Sequence, residues 1–261
     1  MTESENMNPI YNNNVEERII FCDKDFAVIN KIPGEVCSFE ESLDSSEEIK
    51  NQSYIPYVFK SEINRILGYK PAIIECVNRI DKPVSGLVVL ALTEKMNSVL
   101  GNMLKNHKIK KKYYAIVEGC FKEFPREKEA CLLKNEIYFN KKKRKSFITD
   151  KNRAIQGKNA ELLYRVIGCG ERYSFLEIEL ITGRTHQIRC QLSYNKMPIK
   201  GDLKYGAKRS EKIGGIRLHA GELYFYHPST NEQMIFKADF PLTDNLWKAV
   251  EDSILIYNGN F

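Results

Sequence analysis

The feature that most constrains this chain is a polar loop that runs straight into an unbroken apolar stretch. Residues 78–85 read NRIDKPVS and residues 86–92 read GLVVLAL. An apolar run of that length, bounded by a loop, suits a strand covered on both faces. Such a strand needs a sheet around it and helices over it. The next residues supply one. Thr93 is a good N-cap, and Met96, Val99, Leu100, Met103 and Leu104 recur at helical spacing. The spacing predicts an amphipathic helix over 94–106. KKYYAIVEG, residues 111–119, then reads as a strand ending at Gly119. Its alternation puts Tyr113, Ala115 and Val117 on one face and Tyr114 and Ile116 on the other.

The same reading extends along the chain. Residues 18–32 predict two short strands around the turn Asp23-Lys24-Asp25, and Pro33-Gly34 breaks the pattern. The stretch from 39 to 66 begins acidic and ends as a helix carrying Val58, Ile63, Ile66 and Leu67 on one side. Residues 140–158 are basic and lack apolar periodicity, which predicts a surface loop or loose hairpin. Strands are expected over 160–167, 172–182, 216–226 and 233–239. Helices are expected over 185–194 and 243–252, each with a Thr cap. Many strands with few helices indicate an α+β fold with a mixed, mostly antiparallel sheet flanked by helices. One domain over 16–253, after a disordered lead at 1–15, is the simplest organisation.

Composition bounds the function. The chain has 261 residues, 43% hydrophobic and 28% charged, with a formal net charge of +6. No apolar run is long enough to span a membrane, and the N-terminus lacks the apolar core of a signal peptide. Seven cysteines without a C-x-x-C pair speak against a disulfide framework or a zinc site. Reduced thiols in a cytoplasmic protein are expected. Basic residues cluster at 105–112 and at 141–145, with Arg184, Arg189, Lys200, Lys204, Lys208 and Arg209 further on. That distribution points to a phosphate-tracking surface and so to nucleic acid.

Three segments could carry chemistry. Asp81 and Arg79 sit where a loop meets a rigid strand, which suits precise placement of a carboxylate. Read alone, they are better explained as a capped turn with its own ion pair. Tyr113 could offer its ring to a base, or be a half-buried sheet residue. In LITGRTHQIRCQLSYNKMPIKGDLKYG, residues 180–206, Arg184 falls in the turn before a helix, a place to meet a carboxylate or phosphate. Ile188 and Leu192 are expected to face the core, leaving Arg189 and Gln191 more exposed. His186 is a weak candidate, with no Ser or Cys nucleophile beside it in the sequence.

Together these segments resemble the RluA-type pseudouridine synthases. NRIDKPVSG is similar to that family's H-R-L-D-x-x-T-S-G loop, KKYYAIVEG to its K-x-Y-x-A-x-V-x-G strand, GRTHQIR with PIKGDLKYG to its third stretch, and RLHAGELYFYHP to its L-H-A-x-x-L-x-F-x-H-P segment. NKIPG resembles its N-K-P-x-G motif. The matches run in order over about residues 18–241. The resemblance implies the pseudouridine synthase fold, with a cleft across the sheet, and isomerisation of uridine in ribosomal or transfer RNA. By position it makes Asp81 the catalytic aspartate, Tyr113 the active-site tyrosine and Arg184 the arginine paired with the aspartate. Arg79 would hold the flipped nucleotide open, and Leu218 would floor the base pocket. Lys111 and Arg144 are expected to meet RNA. No cofactor, metal, membrane or obligate protein partner is implied, and a monomer without the family's small N-terminal RNA-binding domain is expected. Asn78 departs from the usual His. A catalytically silent RNA-binding protein and an aspartate-dependent N-glycosidase are the alternatives.

Overall fold

The computed structural model describes residues 13–38, 53–121, 130–149, 156–211, 214–241 and 244–259. Most of the expected lead and the acidic stretch from 39 lie outside the described residues.

One eleven-stranded sheet organises the chain. Its strands are β1 (Ile19–Cys22), β2 (Phe26–Lys31), β3 (Glu75–Cys76), β4 (Ser85–Ala91), β5 (Lys110–Glu118), β6 (Cys131–Asn140), β7 (Lys145–Ile148), β8 (Lys158–Cys169), β9 (Tyr173–Leu180), β10 (Leu218–Tyr226) and β11 (Gln233–Lys237). The order is β1-β2-β4-β10-β5-β9-β8-β6-β7, with β3 on β4 and β11 on β10. The β4–β10 pair is parallel and the other pairs are antiparallel. Every residue of β4 is buried, as expected of a strand covered on both faces.

Among the described residues four α-helices cover the sheet: α1 (Ile55–Leu67), α2 (Glu94–Lys105), α3 (Gln187–Tyr194) and α4 (Asn245–Gly259). One face carries the largest core. There Ile55, Phe59 and Ile63 of α1 and Ile188 and Leu192 of α3 pack on Ile29, Val88, Leu90, Tyr113, Ala115 and Val117. On the other face α2 packs Met96 and Leu100 against Phe26, Val28, Leu87 and Val89. There α4 also sets Trp247 and Val250 on Tyr114 and Ile116. The two tyrosines of β5 thus fall on opposite faces, as alternation requires.

The local signals mostly hold. Thr93 Oγ1 accepts the Met96 N–H at 3.1 Å and starts α2. The basic 140–158 region contains a hairpin, β6–β7, turning at 141–144. β6 itself has no counterpart in the sequence reading, because its half-exposed side chains give no apolar run. Helix α3 starts two residues later than expected, with His186 rather than Thr185 at its N-cap. Thr243 lies outside the described residues. Asp244 Oδ1 accepts the N–H groups of Leu246 and Trp247 and so caps α4.

Candidate active site

The loop before β4 is held from three sides. Asn78 is buried, and its side-chain amide extends the β3–β4 ladder. Oδ1 accepts the Val89 N–H at 2.7 Å, and Nδ2 donates to the Leu87 carbonyl at 3.3 Å. An amide can mimic a peptide group in this way, which accounts for Asn at this position. Beyond it, the Val84 N–H closes a turn onto the Asp81 carbonyl at 2.9 Å. Beneath the turn Lys31 is fully buried, and its ammonium donates to the carbonyls of Ile32, Lys82 and Val84. Burial brings its pKa down to about 8, against the smaller pull of nearby acidic groups, Asp81 among them.

Gly86 then lets two strands meet. A Cβ there would lie 2.3 Å from the Ala220 carbonyl oxygen, and its φ is +114°. Only glycine tolerates both conditions. Next to it, Ser85 Oγ lies 2.9 Å from His219 Nδ1, and His219 Nε2 lies 3.3 Å from the Ala238 carbonyl. Nε2 therefore keeps the proton and Ser85 donates. Burial lowers the His219 pKa to about 4. Both side chains are sealed in the core, so the pair joins β4 to β10 and presents no nucleophile.

Asp81 stands at the end of this loop with its side chain 23% exposed. Its Oδ2 accepts Nη1 of Arg189 at 2.9 Å. This corrects the sequence assignment, in which Arg184 was the partner. Arg184 is exposed, and its Nε donates to the Asn159 carbonyl at 2.8 Å. The reason lies in α3, which is two turns long and covered over all but its last two residues. Residues 187–192 are all buried, so Arg189 and Gln191 are not exposed as the helical phase suggested. Arg189 is only 4% exposed and is gripped side-on by Asp202, with Nε–Oδ2 at 2.7 Å and Nη2–Oδ1 at 2.8 Å. This bidentate grip turns the remaining Nη1 toward Asp81. Burial works against the guanidinium charge, but Asp202 and Asp81 more than offset it and raise the Arg189 pKa. Tyr205 lies over the same guanidinium at 5.0 Å. Asp202 and Tyr205 were missed. Their only trace in the sequence is an acid and an aromatic in the loop GDLKYG.

The turn into α3 is built by Gln187. Its Oε1 accepts the Thr182 hydroxyl and the Arg184 N–H, and its Nε2 donates to the Glu161 carbonyl. This leaves His186 in the left-handed region, at φ 54°, with Nε2 3.9 Å from Asp81 Oδ2.

The other expected site residues are distributed as follows. Tyr113 is buried on the same sheet face, and its pKa is raised, first by burial and then by the charge of Asp81. Leu218 is buried in the same cluster, paired with Ala115. Arg79 is exposed two residues before Asp81. Lys111 is half-buried, with its ammonium beside Gly183, and burial lowers its pKa. Its neighbour Lys112 instead pairs with Glu177 and Glu222, so the 105–112 cluster does not form one surface. Arg144 is exposed at the β6–β7 turn. That hairpin is latched beside the site, where Lys145 donates to the Lys204 carbonyl and Lys204 to the Arg144 carbonyl.

Among the described residues, Asp23, Asp25 and His227 have the spacing of a metal-ligand set. Their atoms are already committed. His227 Nδ1 accepts the N–H groups of Ser229 and Thr230, so Nε2 bears the proton it gives Asp23 at 2.9 Å. The imidazole has no lone pair left for a cation, and the group staples the β1–β2 turn to the β10–β11 turn. Among the described residues no helix is long and apolar enough to cross a membrane.

The family model described as RNA pseudouridylate synthase matches residues 25–194, from β2 through the loop of Asp81 to the end of α3. The chain belongs to this family, and within it to the RluA type. The synthase is 35% identical over 176 residues to the uncharacterized RNA pseudouridine synthase YlyB of Bacillus subtilis. That match covers 67% of this chain but only 54% of YlyB. It is 28% identical over 257 residues to tRNA pseudouridine synthase C of Vibrio parahaemolyticus, covering 90% and 93% of the two chains. Ribosomal large subunit pseudouridine synthase C of the same organism is 31% identical over 195 residues, covering 72% of the synthase and 58% of the relative. The solved structure of human RNA Pseudouridylate Synthase Domain Containing 4 superposes with a TM-score of 0.68 at 21% identity, over 92% of the synthase and 94% of that chain. That likeness establishes the fold, as expected from the sequence.

Proposed function

We propose that the synthase converts uridine to pseudouridine within ribosomal or transfer RNA, with Asp81 as the catalytic carboxylate. The observation that carries this reading is the placement of Asp81. It is a partly exposed carboxylate held on a buried turn, bonded on one oxygen by Arg189 and set on the sheet face that bears Tyr113.

The reaction breaks the bond between uracil N1 and ribose C1′ and joins C1′ to C5. N1 gains a proton and C5 loses one, so the product is an isomer and no external electrons are needed. The base must first leave its stack, at a cost of a few kcal/mol. Arg79 would fill the vacated space, while Lys111, Arg144 and the β6–β7 hairpin would meet phosphates. Tyr113 is a phenol at neutral pH, as any tyrosine is, and burial with the charge of Asp81 moves its pKa further up. That favours a stacking platform, worth on the order of 1–3 kcal/mol, with Leu218 beneath the base. Asp81 acts as a covalent or proton-abstracting group, and the bond from Arg189 fixes the direction of its carboxylate. The names of the relatives support transfer RNA and large-subunit ribosomal RNA as the substrate classes.

RNA labelled with tritium at uridine C5 tests this directly. Isomerisation releases the label and leaves the chain intact. Free uracil with an abasic site would instead identify a glycosidase, and RNA binding without either product a silent binder.

A further inference from the structure

His186 lies against the proposed catalytic carboxylate and has no part in the chemistry assigned to Asp81, Arg189 and Tyr113. Its backbone sits at φ 54°, where residues other than glycine are uncommon. Such conformations persist where the surroundings enforce them. Here the surroundings do. Ser146 Oγ donates to the Thr185 carbonyl at 2.6 Å, the ring meets Phe139 and Tyr205 edge-on, and Nδ1 lies 2.9 Å from the Tyr205 hydroxyl.

The tautomer follows from the Tyr205 hydroxyl. Its oxygen accepts the Ser146 N–H at 2.8 Å. Its own proton has two destinations, the Ser146 carbonyl at 3.4 Å and His186 Nδ1 at 2.9 Å. The first is longer than a hydroxyl bond normally runs, so the proton goes to the imidazole. Nδ1 is then the acceptor, and Nε2 carries the ring's proton. The charged groups around the ring are Asp81 and Asp202, which favour a second proton, and Arg189 and Lys204, which oppose it. Burial is the largest influence and holds the pKa down to about 4. The ring is neutral, and the nitrogen that carries its remaining proton lies 3.9 Å from Asp81 Oδ2.

We propose that His186 is a positioning residue for Asp81: a neutral N–H donor, with its tautomer set by Tyr205, that closes onto Oδ2 opposite Arg189 when RNA binds. Hydrogen bonds of a catalytic site are often long in the free enzyme and tighten in the complex. A shift of roughly 1 Å brings this one into range. With Oδ2 held from both sides, Oδ1 is the oxygen presented to the nucleotide.

This inference rests on Asp81 being catalytic, and the test separates the two claims. His186→Asn, His186→Gln and Asp81→Asn are compared with the natural chain in steady-state kinetics on tritiated RNA, with melting curves alongside. Asparagine tolerates the left-handed backbone but cannot reach Asp81, whereas the glutamine amide nitrogen can take the place of Nε2. Losing one bond to a charged acceptor lowers kcat about 10- to 100-fold. The expected result is that loss in His186→Asn, with KM within about twofold, and recovery of most of it in His186→Gln. Equal kcat in the natural chain and a folded His186→Asn overturns the proposal, while an inactive Asp81→Asn leaves the catalytic reading standing. An equal loss in the Asn and Gln variants also overturns it. Should either variant melt early, Tyr205→Phe decides: it removes the proton that sets the tautomer, so kcat should fall with little change in KM, and an unchanged kcat counts against the proposal.

Discussion

Replacing Lys31 by methionine should leave stability nearly unchanged at pH 7 and lower it at pH 10. The ammonium is fully buried and bonded to the carbonyls of Ile32, Lys82 and Val84. Burial depresses its pKa from 10.5 to about 8. The unfolded chain therefore binds more protons than the folded one between those values, and stability rises with pH across that window. At about 1.4 kcal/mol per unit, the rise totals about 3 kcal/mol. It is fully present above pH 10.5 and lost as the pH falls through 8. Methionine removes that cost along with the three bonds, which are worth about 1 kcal/mol each. Below pH 8 the two effects roughly cancel. Near pH 10 the relief has mostly gone and the folded side chain is a neutral amine with two N–H bonds left to lose, so the variant should be less stable by about 2 kcal/mol. Urea titrations followed by the fluorescence of Trp247, the single tryptophan and buried in the core, measure this at each pH. Cys22 and Cys190, both pushed up to about 11 by burial, bend the absolute curve downward above pH 9. They cancel in the difference between the two proteins. A difference that stays constant from pH 7 to 10 refutes the reasoning.

Arg189→Gln should abolish turnover, because it leaves Asp202 buried without its partner. Arg184→Gln should cost less than about tenfold in kcat, since the Arg184 side chain donates to a backbone carbonyl and leaves Asp81 to Arg189; single-turnover assays rank the two. Asn78→Ala leaves the Val89 N–H unpaired in the core, and denaturant titration should find stability lower by about 1–3 kcal/mol. Neutralising residues 141–145 should weaken RNA binding and flatten its dependence on salt, by about 0.7 in the log–log slope for each phosphate no longer neutralised. Filter binding across a salt series reads both, and an unchanged slope reduces that hairpin tip to a solvated turn.

Much of this molecule was legible because its signals are local. The apolar run into β4, the Thr93 cap and the alternation of β5 each act within a few residues, and each holds. What was not legible depends on packing from two sides. The spacing of Ile188 and Leu192 put Arg189 on the exposed side of α3, and the resemblance by position paired Arg184 with the carboxylate. Residues 187–192 of the helix are in fact all buried, and Arg189 lies between two aspartates. Asp202, thirteen residues along the chain, sets that geometry, and nothing near it in the sequence announces the pairing. His186 was legible as a residue but not as a conformation, because its left-handed backbone is imposed by Ser146 and Tyr205 from distant segments.

The central claim is that Asp81 does the chemistry on a uridine held by other residues. The most direct measurement compares the natural chain with Asp81→Asn for tritium release from uridine C5 and, on the same RNA, for binding affinity. The expected result is release by the natural chain and none by the variant, with affinities within about threefold. Undiminished release by Asp81→Asn would contradict the claim.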